Sequence, residues 1–522
     1  MIIGRCLLLL LVSALAFVNV YAQEAVVRGV VFEDKNGNGV FDADEQLLKG
    51  IPVSSLSDIV LTNDNGMFEL PVGKRDIIFV IKPSNYHFHL KSNFVPDYYH
   101  LIYPDGSPGF LSFPGVDPVS TPDTLYFLLL PSANKEKDIL VNIAADTQMP
   151  RTREVWFFRE TIIPAMAASD ADFSVFLGDI ADNNLGIYPE FMASLGALNT
   201  PVYGVFGNHD VNYRSPDNNF KAETFRAHFG PDYYSFNYGQ THFIALNSVN
   251  YYGWNEAKNA PGGYFGGIDS LQFEWLKKNL ELVDEDFQIV LLSHIPLHPA
   301  YFEEESIKKV FALLEDRSKV TAVSGHLHRN SSWQYDADLF WNGKAEFRSL
   351  IAGSASGSWW SGPHAEDSIP AATCVDGSPQ GFFRYQFSGP NHDYAFVPAK
   401  QPLDFQMRIA QPHRQICKKD EAWQDVIVNV FAGDERNRVT FSVDGGTAVE
   451  MEQFTGIDPF LARTHYRRIN GDNWTPAMAE TNHLWKGKLP HDLPSGTYSI
   501  RAESVFPGGR IYNDVIIFEL VD

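Results

Sequence analysis

Apolar and polar residues alternate in three different rhythms along the chain. Residues 26–32 (VVRGVVF) form a short β-branched run, and 51–53, 58–62 and 67–72 are further short runs separated by Asn, Asp and Gly. That spacing predicts a small all-β module. From about residue 138 the rhythm changes. Apolar runs at 138–145, 173–177, 202–206, 242–247, 287–293 and 319–323 read as buried strands, with amphipathic stretches at 151–168, 187–198 and 268–283 between them. Strands alternating with helices predict a layered α/β domain in which helices pack on sheet. Past residue 395 a linker (VPAKQPLD) leads back to short strands at 425–430, 437–442, 448–453, 497–503 and 514–520. Turn signals at Asp444-Gly445, Pro494-Ser495-Gly496 and Pro507-Gly508-Gly509 punctuate them, which predicts a C-terminal β-sandwich. The expected organisation is therefore 23–135, 136–395 and 396–522, an α/β body flanked by two all-β domains.

The first 22 residues stand apart. One positive charge, Arg5, precedes an apolar run from Cys6 to Val18, and Val20-Tyr21-Ala22 suits a signal-peptidase site before the polar Gln23 and Glu24. Residues 1–22 are expected to be a cleaved export signal, which makes the mature protein periplasmic or secreted; a retained transmembrane anchor, for which the uncharged stretch is short, is the alternative. No later stretch is long and apolar enough to span a bilayer as a helix, so no stable membrane insertion is expected after cleavage.

A chain of 522 residues with 44% hydrophobic content can bury several cores. Its 64 acidic against 41 basic residues give a net charge of −23, which argues against binding a nucleic-acid duplex or an anionic membrane non-specifically. Cys374 and Cys417 are the only cysteines beyond the export segment; they either pair or remain two free thiols.

Between the first strands of the N-terminal module, residues 34–45 (DKNGNGVFDADE) fit the spacing D-x-[DN]-x-[DN]-G-x5-E. In such a loop alternating oxygens wrap a calcium ion, here from Asp34, Asn36, Asn38, the Val40 carbonyl, Asp42 and Glu45, with Gly39 making the sharp turn. The segment before Asp34 reads as a strand, so the expectation is a calcium loop on a β-sandwich rather than a helix–loop–helix. A solvated acidic turn is the alternative.

Polar motifs directly follow the central strands, one per strand end: Asp146-Thr147-Gln148, Gly178-Asp179-Ile180-Ala181-Asp182, Gly207-Asn208-His209-Asp210, Ser293-His294 and Gly325-His326-Leu327-His328. Loops beyond the carboxyl ends of strands converge on one crevice in an α/β sheet. Two carboxylates (Asp146, Asp179), two amides (Gln148, Asn208) and three imidazoles (His294, His326, His328) make a mixed oxygen and nitrogen set that suits Mn, Fe or Zn. Seven ligands exceed what one such ion takes and match two ions sharing a carboxylate.

In their order and spacing these motifs resemble the calcineurin-like metallophosphoesterase superfamily, whose pattern is D-x-H, G-D-x-x-D, G-N-H-D/E, H and G-H-x-H. The resemblance covers about residues 138–395 and extends to the bacterial branch with N- and C-terminal β-domains, whose pocket motif is similar to Gly357-Ser358-Trp359-Trp360-Ser361-Gly362 with Asp376-Gly377-Ser378-Pro379. It implies a central layered β-sandwich domain with flanking helices. It also implies one ion on Asp146, Gln148, Asp179 and His328, a second on Asp179, Asn208, His294 and His326, and attack on a phosphate ester by a hydroxide shared between them. His209 would stabilise charge or protonate the leaving oxygen, with Asp182 orienting its ring. Gln148 stands where the family usually has histidine; its amide oxygen is a harder and weaker ligand than imidazole and favours Mn or Fe over Zn.

Around this centre, His298 either lines the pocket or caps the loop after His294. Trp359 and Trp360 are either pocket walls for a sugar, base or aromatic leaving group or core aromatics; Tyr251-Tyr252-Gly253-Trp254 is a weaker candidate roof. The expected activity is hydrolysis of a small phosphorylated substrate, a sugar- or nucleotide-containing ester among the candidates. Loops 211–240, 248–270 and 354–380 hold the choice between monoester and diester. The competing class is a catalytically decayed extracellular protein that binds glycan or phosphate. Such decay predicts lost ligands or a lost His209, and only Gln148 deviates.

Overall fold

A computed structural model of the chain describes residues 25–132, 138–364, 367–389, 391–463, 466–467, 473–474 and 477–522. The expected export segment, residues 1–22, lies outside the described residues. Among those residues no helix is long and apolar enough to cross a membrane.

The central region holds two mixed sheets. In the first, β1 (Asp138–Ala144), β2 (Phe173–Phe176) and β3 (Val202–Gly204) run parallel, and β10 (Gly381–Ser388) and β11 (Asn391–Pro398) continue the sheet antiparallel beyond β1. The second has the order β4 (Tyr234–Tyr238), β5 (Thr241–Leu246), β6 (Gln288–Ser293), β7 (Val320–Ser324), β9 (Phe347–Ile351) and β8 (Ser331–Tyr335), parallel from β5 through β9. Aromatic side chains lock the two faces together: Tyr203 of β3 stacks on Phe236 of β4 at 3.9 Å, and Phe173 of β2 meets Phe243 of β5 edge-on at 5.1 Å. Strands β1, β2, β6 and β7 are buried nearly throughout, which is why they read in the sequence as continuous apolar runs rather than alternating ones.

Helices α1 (Thr152–Ala167), α2 (Tyr188–Leu195), α3 (Glu223–Phe229), α4 (Ser270–Glu281) and α5 (Glu304–Ala312) surround these sheets. Helix α1 buries Val155, Phe158, Ile162 and Met166, and its start follows directly on the Asp146–Gln148 loop. Because the parallel strands of both sheets end at the same side, their outgoing loops meet there. Ala145 pairs with Ser354 across the two sheets, and the Leu177 carbonyl accepts from His294 Nδ1 at 2.8 Å.

The N-terminal sandwich is welded to this body rather than tethered to it. Trp275 on α4, fully buried, donates its indole N–H to Ser54 Oγ at 2.8 Å, Tyr233 donates to the Leu56 carbonyl, and Lys278 pairs with Asp58 at 2.7 Å. Apolar side chains from both regions form one continuous core. The C-terminal region builds a four-stranded sheet (Met407–Gln411, Asp425–Val430, Thr481–Lys488, Glu452–Gly456) against a five-stranded one that includes Arg438–Val443, Gly496–Val505 and Ile511–Val521. Its core is separate from the shared one. Cys374 is buried and Cys417 half-buried, and both are free thiols, so they do not pair.

Candidate metal centre

The residues expected to hold metal gather at the carboxyl ends of β1, β2, β3, β6 and β7, and their contacts divide into two groups that meet at Asp179. On one side His328 Nε2 lies 3.4 Å from Asp146 Oδ1, and Gln148 Nε2 donates to Asp179 Oδ2 at 3.3 Å. On the other, His294 Nε2 lies 2.9 Å from Asn208 Oδ1, 3.2 Å from Asp179 Oδ2 and 3.2 Å from His326 Nδ1. One ligand atom each from Asp179, His294 and His326 falls within 4.8 Å of the others. Among the described residues no other three His, Cys, Asp or Glu side chains meet this way.

Neighbouring carbonyls set which ring nitrogen is left for a ligand. His294 Nδ1 donates to Leu177 O and His328 Nδ1 to Gly357 O at 3.2 Å, which turns both Nε2 atoms inward. Gln148 Oε1 is buried and has no hydrogen-bond partner. An orphaned amide oxygen beside two carboxylates and three imidazoles is costly unless a cation takes it, and the donor set suits a divalent transition metal. The residues present therefore fit a divalent metal centre, with the Gln148 oxygen free to face a cation.

The backbone is strained at these positions. Asp146, Gln148, Asp179, His326 and His328 all adopt positive φ, between 33° and 74°. Each such non-glycine residue costs on the order of 1–3 kcal/mol, and strain of this kind persists where surrounding structure over-determines it. Glycines provide the room. A Cβ on Gly207 would sit 2.1 Å from Asp179 N, and one on Gly325 would sit 2.6 Å from Asp146 Oδ2, so alanine at either position displaces a carboxylate of the site.

Charge follows the same geometry. Burial opposes a charge on His294, but Asp179, with Asp146 behind it, lifts that ring to about 9. Burial and the neighbouring His294 push His326 down to about 4. Asp179 is held below the usual carboxylate range by His294 and then His209, against the opposing effect of burial. A cation taking His294 Nε2 must displace that proton.

His209 stands at the mouth, about a quarter exposed, with its backbone N–H on Asp179 Oδ1 at 2.7 Å and Nε2 4.0 Å from Asp179 Oδ2. Its Nδ1 lies 2.8 Å from Asn183 Oδ1 and 3.3 Å from Asp182 Oδ1. Asn183 is thus the nearer orienting group, alongside the expected Asp182. The sequence drew no attention to Asn183, though the side chain sits next to Asp182 at a positive φ of 65°.

Asp210 is the second residue the sequence left without a role. Its carboxylate is fully buried, accepts from the N–H groups of Ile180, Ala181 and Gly207 and from Tyr188 Oη, and is pushed up to about 6 by burial and then by Asp179. It ties the Asp179 loop to the Asn208 loop. Its signal was its place at the end of Gly-Asn-His-Asp.

The two tryptophans separate. Trp359 is 44% exposed and stacks on His328 at 4.4 Å, at the edge of the centre. Trp360 corrects the pocket expectation: it is buried against Phe157 and donates its indole N–H to the Thr147 carbonyl, so it props the Asp146–Gln148 loop from behind. His298 Nδ1 accepts from the Ala300 N–H, which is the loop-capping alternative. On the far side, Tyr264 and Tyr301 approach His326 at 6.2 and 6.3 Å. Of the candidate roof, Tyr252 is exposed and Tyr251 is buried, with its hydroxyl on Tyr213 O.

The 34–45 loop closes on itself. Asp34 accepts from the N–H groups of Gly37 and Gly39, and Asp42 Oδ2 from the Asn36 and Asn38 amides. Glu45 accepts from the N–H groups of Lys35 and Asp42. Its acidic side chains do not form a convergent group of three.

Family comparisons agree along most of the chain. The model for the N terminal of calcineurin-like phosphoesterase matches residues 35–116, that for calcineurin-like phosphoesterase 141–330, and that for the C terminal of calcineurin-like phosphoesterase 350–512. The chain is 29% identical over 146 residues to the serine/threonine-protein phosphatase CPPED1 of Mus musculus, which covers 26% of this chain and 44% of that protein. It is 28% identical over 167 residues to purple acid phosphatase 15 of Arabidopsis thaliana, 28% of this chain and 29% of that protein. It therefore spans less than half the length of these curated relatives. Among solved structures, purple acid phosphatase PPD1 from yellow lupin seeds aligns with 67% of this chain and 58% of its own, at 12% identity and a TM-score of 0.35. With three consecutive models of one family in their natural order, the chain belongs to the calcineurin-like phosphoesterases.

Proposed function

We propose that the chain is an exported phosphoesterase that hydrolyses phosphate monoesters or diesters with two divalent ions of Mn, Fe or Zn. The observation that carries this reading is the convergence of Asp179, His294 and His326 beside the orphaned Gln148 oxygen. Asp146, Gln148, Asp179 and His328 would hold one ion, and Asp179, Asn208, His294 and His326 the other. When bound, such ions bring water to a usable pKa near neutrality and offset charge on the phosphoryl oxygens.

The chain's own residues do the rest. Asn183 and Asp182 hold the His209 ring by Nδ1, which presents Nε2 at the mouth for the leaving oxygen. The exposed Trp359 offers a flat apolar face to the remainder of the substrate, which favours a ring-bearing group such as a sugar or base.

The direct test is the metal-reconstituted chain assayed side by side on nitrophenyl monoester, nitrophenyl diester and nucleotide-sugar substrates. Turnover of at least one, abolished by a chelator and restored by metal, is expected; inertness of the fully loaded chain on all three contradicts the proposal.

The same proposal includes calcium in the 34–45 loop, supported by its D-x-[DN]-x-[DN]-G-x5-E spacing. Calcium at a hundred times its dissociation constant stabilises the native state by about 2.7 kcal/mol. Millimolar calcium, but not magnesium, should therefore raise the melting temperature of the full chain; an unchanged value means a solvated turn.

A further inference from the structure

Behind the metal centre, a buried polar network joins the His326–His328 loop to the C-terminal sandwich. Its hub is Asp376, fully buried in the 354–380 loop. Asp376 Oδ2 accepts from the Asn330 N–H at 2.6 Å and from His483 Nε2 at 3.0 Å, and Oδ1 accepts from the Ser378 N–H and Oγ. Val375, next in chain, donates its N–H to the His328 carbonyl at 3.1 Å. The same loop carries Gly357, whose carbonyl takes His328 Nδ1, and Trp359, which stacks on the His328 ring. Every constraint on His328 from this side thus comes through residues 354–380.

That loop is held in turn by the C-terminal domain. His483, on Thr481–Lys488, is fully buried, and its Nδ1 lies 2.8 Å from Asn429 Oδ1. The Asn429 amide orientation is fixed because its Nδ2 donates to Asp376 O and to Asp458 Oδ2, both acceptors. Both His483 ring nitrogens therefore face acceptors. Burial opposes the charge on Asp376, yet the His483 bond keeps its carboxyl below the usual range. Arg408 reaches the Gly377 carbonyl, and Arg329, beside His328, reaches the Glu480 carbonyl, so the junction is polar on both flanks.

We infer that His483 is a positioning residue: through Asp376 it clamps the 354–380 loop and so fixes the His328 side of the metal centre. The C-terminal sandwich then completes the site rather than merely accompanying it. The inference rests on the metallophosphoesterase reading, but part of its test does not.

The experiment compares the full-length wild type, His483→Leu, His483→Gln and Val439→Ala. Val439 lies in the separate C-terminal core, away from the junction, and serves as the control for general loss of stability. Hydrogen exchange of amides in 326–330 and 354–380 is measured on metal-free protein, and Mn affinity by titration. Partners that orient a metal ligand from behind are worth 10–100-fold in affinity when removed. His483→Leu should accelerate exchange in both segments and weaken Mn binding by about that factor. His483→Gln, which keeps a donor towards Asp376, should fall between it and wild type, and Val439→Ala should leave both readouts at wild-type values.

Unchanged exchange and affinity in folded His483→Leu overturns the inference, as does the same loss in Val439→Ala. If the leucine variant does not fold, wild-type behaviour of His483→Gln overturns it. Failure of the phosphoesterase reading shows separately, as wild type that binds no Mn or turns over no ester, while the exchange result still reports on the clamp.

Discussion

Asp179→Ala should lose both ions and nearly all turnover. Asp179 meets Gln148 at 3.3 Å on one side of the centre and His294 at 3.2 Å on the other. It also anchors the His209 backbone N–H. Removing it takes the shared negative charge from both proposed ion sites and leaves His294, His326 and Asn208 on one side facing one another without a carboxylate. Metal-assisted charge stabilisation is worth several kcal/mol, so a loss of about 4 kcal/mol corresponds to roughly a thousandfold in rate. The check is metal content per chain together with kcat/KM. Retention of both ions by Asp179→Ala contradicts its bridging place.

His209→Ala should behave in the opposite way, keeping its metal while losing turnover. The ring is not among the converging ligand atoms; it stands at the mouth, held by Asn183 and Asp182. General acid catalysis contributes roughly 10²–10⁴-fold. An ester of a very acidic alcohol needs little protonation, so damage should be smallest on nitrophenyl esters and largest on alkyl esters. Equal damage on both, with metal content intact, means that His209 stabilises phosphoryl oxygens instead. Asn183→Ala should reproduce part of the loss if the 2.8 Å contact is what aims the ring.

Strand ends were the most legible part of the chain. Runs such as 173–177 and 287–293 are buried on both faces, so continuous apolarity marked Phe173–Phe176 and Gln288–Ser293, and the motif after each run placed its ligands. The later strands of the central region, between residues 325 and 400, were harder to see. Ser331–Tyr335 and Asn391–Pro398 are edge strands with exposed and half-exposed positions, and Gly381–Ser388 mixes aromatic with polar side chains, so none carries the uniform signal of the sheet centre. In the site, residue type alone identified ligand candidates, because Asp, Asn and His after a strand have few other reasons to cluster. It could not separate Trp359 from Trp360. Both follow Ser358 at positive φ near 51°, and only the packing decides that one faces His328 and the other Thr147. Asp210 and Asp376 stood inside quoted motifs but without a role of their own, for a related reason: their partners are backbone N–H groups and distant side chains, which no local spacing records.

The two-ion centre itself is tested most directly by counting. Chain loaded with Mn, freed of excess metal and assayed by elemental analysis should hold two ions in its high-affinity sites, falling to one in Gln148→Ala as the Asp146 and His328 side loses its amide oxygen. A single ion in wild type, or a Gln148→Ala variant that still holds two with unchanged affinity, would contradict the account.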